Sequence, residues 1–97
     1  MNVESERECF KFEKLFGSKA RSKILKLLAL NLEQSISQII KDTSLNHSCV
    51  RKHLNYLKSL NLVQEKNFGR IKIFRYKIEN IKAKSLKAFI EIWEEQS

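Results

Sequence analysis

Proline is absent from this 97-residue chain and glycine occurs only twice. That rules out a Gly-rich phosphate loop, and no stretch reads as a linker, an internal repeat or a low-complexity tract. Cysteine also occurs only twice, as Cys9 and Cys49, too sparsely for a disulfide framework and in keeping with free thiols. No apolar run approaches the roughly 20 residues of a membrane span. The polar start, with Glu4, Glu6 and Glu8, does not have the pattern of a signal peptide. The expectation is therefore a cytoplasmic protein with no membrane partner. No nucleophile, base and orienting group recur at motif spacing, so no enzyme is expected and no cofactor is implied.

What the chain does have is positive charge, and it is localised. The formal balance is +8 overall, but residues 46–77 hold eight Lys or Arg against one Glu, a local +7. Such a patch is the footprint of a polyanion binder, because each neutralised phosphate releases condensed counterions. Charge alone would equally describe a solvated basic face. Its position along the helical pattern decides for nucleic acid.

The most informative segment is Ser44 to Val63. Asn46 is a good N-cap, its short side chain able to accept a hydrogen bond from an early backbone N–H. Val50, Leu54, Leu57 and Leu60 then recur at helical spacing and face a core. Ser48, Arg51, Lys52, Asn55 and Ser59 point the other way, a polar, basic face that carries no carboxylate of its own. This predicts a helix over 46–60. Ahead of it, Ser37 caps a brief helix over 37–43, with Ile39 and Ile40 inward and Leu45 plugging the angle between the two: a helix-turn-helix. Further upstream, Cys9, Phe12 and Phe16 set a first helix over 4–16, stopped at Gly17. Ser18 caps a second over 19–30, in which Ala20, Ile24, Leu25, Leu27 and Leu28 bury.

Past Asn61, a plausible left-handed cap, the period changes to two. Strands over Leu62 to Lys66 and Ile71 to Ile78, joined through Asn67-Phe68-Gly69-Arg70, make a basic-tipped wing within 62–78. A very short strand ending at Ile36 would make the sheet three-stranded. A last helix over 80–95 has more apolar surface than one chain needs. Leu86, Phe89, Ile90 and Trp93 form one stripe, which Ile81, Ala88 and Ile92 widen. With Phe10, Phe12 and Phe16, the residues Leu86, Phe89, Ile92 and Trp93 are the expected contacts of a symmetric dimer; the alternative is that the two terminal helices pack only on each other. The whole is read as one domain over 1–97, α+β and mostly helical: a winged helix-turn-helix with a two- to three-stranded wing and terminal helices forming a dimer interface.

The segments FEKLFGSKARSKILKLL, ISQIIKDTSLNHSCVRKHLNYLKSLNLV and FGRIKIFRYKI together resemble the winged helix-turn-helix transcription regulators of archaea and bacteria. The resemblance is to the arsenic-repressor-like and small archaeal repressors above all, including those carried by archaeal viruses. It covers roughly residues 12–78. It implies a homodimer on a pseudo-palindromic site of double-stranded DNA, inside the cell or, for a viral source, inside the host cell. The chain departs from the metal-sensing members. Lys41, Asp42 and Thr43 stand where a thiolate pair would be needed, and residues 80–97 hold no His or Cys, so no metal site is expected. The Z-form binders are also excluded, since Asn55 and Tyr56 are adjacent and a Pro-Trp wing is missing.

Arg51 suits base readout, because a guanidinium can donate two bonds to guanine in the major groove, and it suits a phosphate contact nearly as well. Asn55 could pair with adenine, and His47 and Ser48 at the helix start could reach bases or phosphates. Lys52 is assigned to phosphate, as are Lys66, Arg70 and Lys72 on the wing. His53, beside the apolar stripe, reads as a packing or polar-bridging residue; His47, Cys49 and His53 do not share a helical face and are rejected as a metal triad. Cys49 is a small residue near the groove, with a redox role the lesser reading, and Cys9 is an inter-subunit disulfide candidate only for a hyperthermophile. The expected function is a sequence-specific DNA-binding regulator, a repressor in kind. A winged-helix assembly module and a nonspecific architectural DNA-binding protein are the alternatives.

Overall fold

A computed structural model describes residues 15–96. Most of the helix expected over 4–16, with Cys9, Phe10 and Phe12, lies outside the described residues. The elements are α1 (Lys19–Asn31), β1 (Glu33–Ser35), α2 (Ile36–Thr43), α3 (His47–Ser59), β2 (Val63–Phe68), β3 (Ile71–Tyr76) and α4 (Ile81–Gln96). The strands form one antiparallel sheet in the order β1-β3-β2. Among the described residues, four helices and a three-stranded sheet in this order are the winged helix-turn-helix anticipated from the sequence.

Local chemistry sets the ends of α1. The Ser18 hydroxyl accepts from the Arg21 N–H at 3.2 Å, capping the helix as its sequence suggests. Ile24, Leu25, Leu28 and Ala29 are buried, whereas Ala20 and Leu27 are only partly so. The helix stops at Leu32, whose φ of 71° is unusual for a residue with a side chain. It is held there from both sides: its N–H donates to the Leu28 carbonyl and its own carbonyl accepts from the Tyr76 N–H, each at 2.7 Å.

The start of α2 and the end of β2 differ from expectation, each because tertiary pairing outweighs a local signal, and β3 ends at Tyr76 rather than Ile78. Helix α2 begins at Ile36 rather than Ser37, and its cap is Ser35, whose hydroxyl accepts from the Gln38 N–H at 3.2 Å. The pairing of β1 with β3 ends at Ser35↔Ile73, and Ile36 turns directly into the core. On the wing, β2 runs on to Phe68, and the turn is only Gly69-Arg70. Gly69 has φ 62° while Arg70 does not take positive φ, the arrangement of a type II′ hairpin turn, whose twist matches the strands. Asn67 and Phe68 therefore pair with Lys72 and Ile71 instead of forming the loop.

The core lies between α1, α2, α3 and the sheet. Val50, Leu54 and Leu57 of α3 meet Ile24, Leu25, Leu28, Ile39 and Phe74, all fully buried, each contributing about 1.5–3 kcal/mol. Asn80 stands just before α4 and caps it, its Oδ1 accepting from the Lys82 N–H at 2.8 Å. Its inward stripe is Ala83, Leu86 and Ile90, about one position away from the stripe expected through Phe89 and Trp93. The cause is the buried Tyr76 hydroxyl, which donates to the Ala83 carbonyl at 2.6 Å and draws the small Ala83 against the sheet. Phe89, Ile92 and Trp93 are left exposed.

Candidate nucleic-acid interface

The second helix of the helix-turn-helix is α3, and its approach is locked by short polar contacts. Ser44 takes the left-handed conformation, φ 61°, to end α2, and the Thr43 hydroxyl donates to the Ile39 carbonyl at 2.7 Å. The Lys23 ammonium of α1 donates to the Thr43 carbonyl at 3.1 Å, fixing the turn to the first helix of the core. Asn46 then caps α3, its Oδ1 accepting from the Cys49 N–H at 2.8 Å. At the far end Asn61 has φ 63°, the left-handed cap expected of it.

The outermost stripe of α3 is Ser48, Lys52, Asn55 and Ser59, all exposed, with His47 exposed at the helix start. No carboxylate stands on that stripe. Arg51 is different. It flanks the stripe on the side of the wing, half-buried, with its guanidinium 5.7 Å above the Phe74 ring. One of its terminal nitrogens lies 3.3 Å from both oxygens of Glu65 on β2. Lys58 donates to the same carboxylate at 2.7 Å, and Lys72 of β3 stands 3.9 Å away. The Lys58 hydrogen bond and the Arg51 charge hold the Glu65 carboxyl below its ordinary pKa, outweighing the opposing effect of burial.

The three wing cations are not one cluster. Successive strand residues point to opposite faces, so Lys72, paired with Asn67, shares the α3 side with Glu65. Lys66, paired with Ile73, lies on the outer side and bridges to Glu33 at 2.8 Å. Arg70 is exposed at the turn. Sequence reasoning missed Glu65 and Lys58. The one signal present was that Glu65 is the lone acid among the eight basic residues of 46–77; its partners, 14 and 7 residues away on another element, carry no local mark.

On the opposite flank, Arg21 of α1 is not the free solvated cation its helical position suggests. Its guanidinium stacks 3.9 Å over the Tyr56 ring and its Nε donates to Nδ1 of the buried His53 at 3.3 Å. This is the polar-bridging role expected of His53. Burial first, then the charges of Arg21 and Lys52, hold the His53 pKa below the ordinary imidazole value. A depressed folded pKa means the unfolded chain binds the proton more readily. The stability that His53 contributes is thus complete above the unfolded value, about pH 6.5, and is lost as pH falls through the lower folded value. Thermal unfolding followed from pH 7.5 down to 5 should show that loss. His53→Asn, which keeps an acceptor for Arg21 but does not titrate, should flatten it, and equal slopes for both proteins would refute the assignment. Glu79, held at a pKa of about 2 chiefly by its hydrogen bonds from Arg75, responds only in much stronger acid.

Among the described residues, no three His, Cys, Asp or Glu side chains converge as metal ligands would, and no helix is long and apolar enough to cross a membrane. Residues 18–65 match the family model for bacterial regulatory proteins of the arsR family. No curated protein sequence matches the chain. Among solved structures, a possible transcriptional regulatory protein (fragment 1–100) from Mycobacterium bovis is similar at 26% identity, covering 84% of this chain and 85% of that one with a TM-score of 0.67. HlyU from Vibrio cholerae shares the fold at 22% identity, over 99% and 97% of the two chains, with a TM-score of 0.72. The transcriptional repressor PagR of Bacillus anthracis shares it at 22%, over 96% and 97%, with a TM-score of 0.66. Residues 18–65, from the cap of α1 into β2, are therefore similar to the arsR-family regulator domain, and the described residues have the winged helix-turn-helix fold.

Proposed function

We propose that the protein is a sequence-specific double-stranded DNA-binding transcription regulator, a repressor in kind, acting as a homodimer on a pseudo-palindromic site. The observation that carries this reading is the exposed, carboxylate-free stripe Ser48, Lys52 and Asn55 on a capped helix beside a basic wing. A helix so presented fits the major groove, and two of them related by a two-fold axis would enter successive grooves one helical turn apart. In this reading His47, Ser48, Arg51 and Asn55 address base edges, and Lys52, Lys66, Arg70 and Lys72 hold phosphates. Phe10, Phe12, Phe16, Leu86, Phe89, Ile92 and Trp93 form the dimer contact. The exposed Phe89, Ile92 and Trp93 support that part, whereas Leu86 is partly buried against its own core and contributes from its edge.

Selection from a pool of random duplexes, followed by gel shifts over a salt series, tests the reading. A preferred duplex whose binding weakens steeply with salt is the expected result. Equal binding to all duplexes would leave an architectural role, and no binding would leave the assembly module. Arg51→Ala should weaken the selected duplex by about 1–3 kcal/mol and relax its specificity. Lys72→Ala should instead weaken every duplex alike and lower the salt slope by about 1.

A further inference from the structure

The cations facing the wing side of α3 converge on one largely buried carboxylate, and the burial is uneven. The Glu65 side chain is 9% exposed, against 30% for Arg51, 42% for Lys58 and 46% for Lys72. The cations can therefore exchange this anion for an external one more readily than Glu65, the least exposed member, can exchange them for solvent. A buried carboxylate stripped of its counter-charges is strongly disfavoured. The arrangement accordingly opposes any interaction that draws these cations outward.

The seat of Arg51 is also incomplete. Phe74 and Glu65 lie opposite each other on β3 and β2, so the guanidinium rests over Phe74 with Nη2 on Glu65. Among the described residues its Nη1 is buried without a hydrogen-bond partner. A guanine edge offers two acceptors, O6 and N7, in the spacing of a guanidinium fork. Moving out to such an edge would satisfy both terminal nitrogens, and Lys58 at 2.7 Å would still neutralise Glu65. A backbone phosphate also accepts a guanidinium fork, but a complex held by phosphates alone draws on Lys58 as well as Arg51 and would leave Glu65 with Lys72, 3.9 Å away, as its nearest cation.

We infer that Glu65 is a positioning and specificity-determining residue of this interface, a built-in anion that opposes the joint withdrawal of Arg51 and Lys58 to phosphates, while Lys58 lets it release Arg51 to a base edge accepting two hydrogen bonds. The inference rests on the DNA-binding reading above. It makes discrimination depend partly on an internal competitor, over and above the fit to the cognate site.

The experiment compares wild type, Glu65→Gln and Glu95→Gln on the selected duplex and on a scrambled duplex of the same composition, across a KCl series. The Glu95 variant adds the same net charge on an exposed part of α4. With Glu65→Gln, binding to the scrambled duplex should tighten about tenfold, and its salt slope should steepen by about 0.9 for each additional phosphate that the freed cations neutralise. The selected duplex should tighten less, so the discrimination ratio falls, while Glu95→Gln keeps the ratio of wild type. An unchanged ratio and slope in Glu65→Gln would overturn the inference and leave the DNA-binding reading standing. Wild type that prefers no duplex would remove both. Should Glu65→Gln fold poorly, the side-chain carboxyl 13C resonance of Glu65 in wild type gives the answer directly. It should move on titration with the selected duplex and stay in place with the scrambled one. A resonance indifferent to both overturns the inference.

Discussion

Phe74→Ala should lower the stability of the fold by about 3–5 kcal/mol, a large part of the 5–15 kcal/mol typical of a whole domain. Phe74 is fully buried on the central strand, with Gln34 of β1 and Glu65 of β2 as its cross-strand neighbours. Pairing on both sides leaves the backbone little freedom to collapse into the space, so most of the cavity should persist. The effect extends to the interface because this ring is the floor beneath the Arg51 guanidinium. Urea denaturation followed by circular dichroism would show a much lower midpoint with little change in slope. Phe74→Leu, which keeps most of the volume, should lose clearly less. A loss below about 1 kcal/mol for the alanine variant would mean that the strand relaxes around the gap, against the expected rigidity of a doubly paired strand.

Trp93→Glu is expected to have the largest effect on DNA binding of any single change outside α3 and the wing. Phe89, Ile92 and Trp93 present a continuous apolar side of α4, with the Phe89 and Trp93 ring centroids 6.1 Å apart. In a two-fold dimer the substitution is made twice in one interface, and each copy sets a carboxylate against an apolar surface. Sedimentation at micromolar concentration should find monomer in place of dimer. Affinity for the selected duplex should fall by about 100-fold, because the second half-site is no longer tethered to the first. Since Trp93 is 65% exposed within its own chain, the melting temperature measured at monomeric concentration should barely move. An unchanged mass in solution together with unchanged affinity would refute α4 as the dimer contact.

The features legible in the sequence are those decided within a few residues. Ser18, Asn46 and Asn61 act as the caps their chemistry suggests, because a cap needs only its own helix turn. The stripe Val50, Leu54 and Leu57 needs only periodicity. Legibility ends where a distant partner decides. Ser35 and Ser37 are equally good caps in isolation, and only the pairing of β1 with β3 selects the first. Asn67 and Phe68 resemble turn residues until Lys72 and Ile71 are placed opposite them. Arg51 reads as an outward residue because a helical projection shows only its own helix. The carboxylate that holds it arrives on β2, where no pattern in α3 can announce it.

The hydrogen bond from Tyr76 to the Ala83 carbonyl has a mechanical consequence. Burial raises the phenol pKa to about 12, so the proton stays on the oxygen across the whole physiological range and the donor never switches off. The same tyrosine donates its backbone N–H to the Leu32 carbonyl, where the chain leaves α1 in its left-handed corner. One residue thus pins the root of α4, the last strand of the wing and the exit of the first core helix to a common point. Any rotation of α4 about its root must therefore either break the hydrogen bond from Tyr76 to Ala83 or carry with it the strand that also holds Lys72.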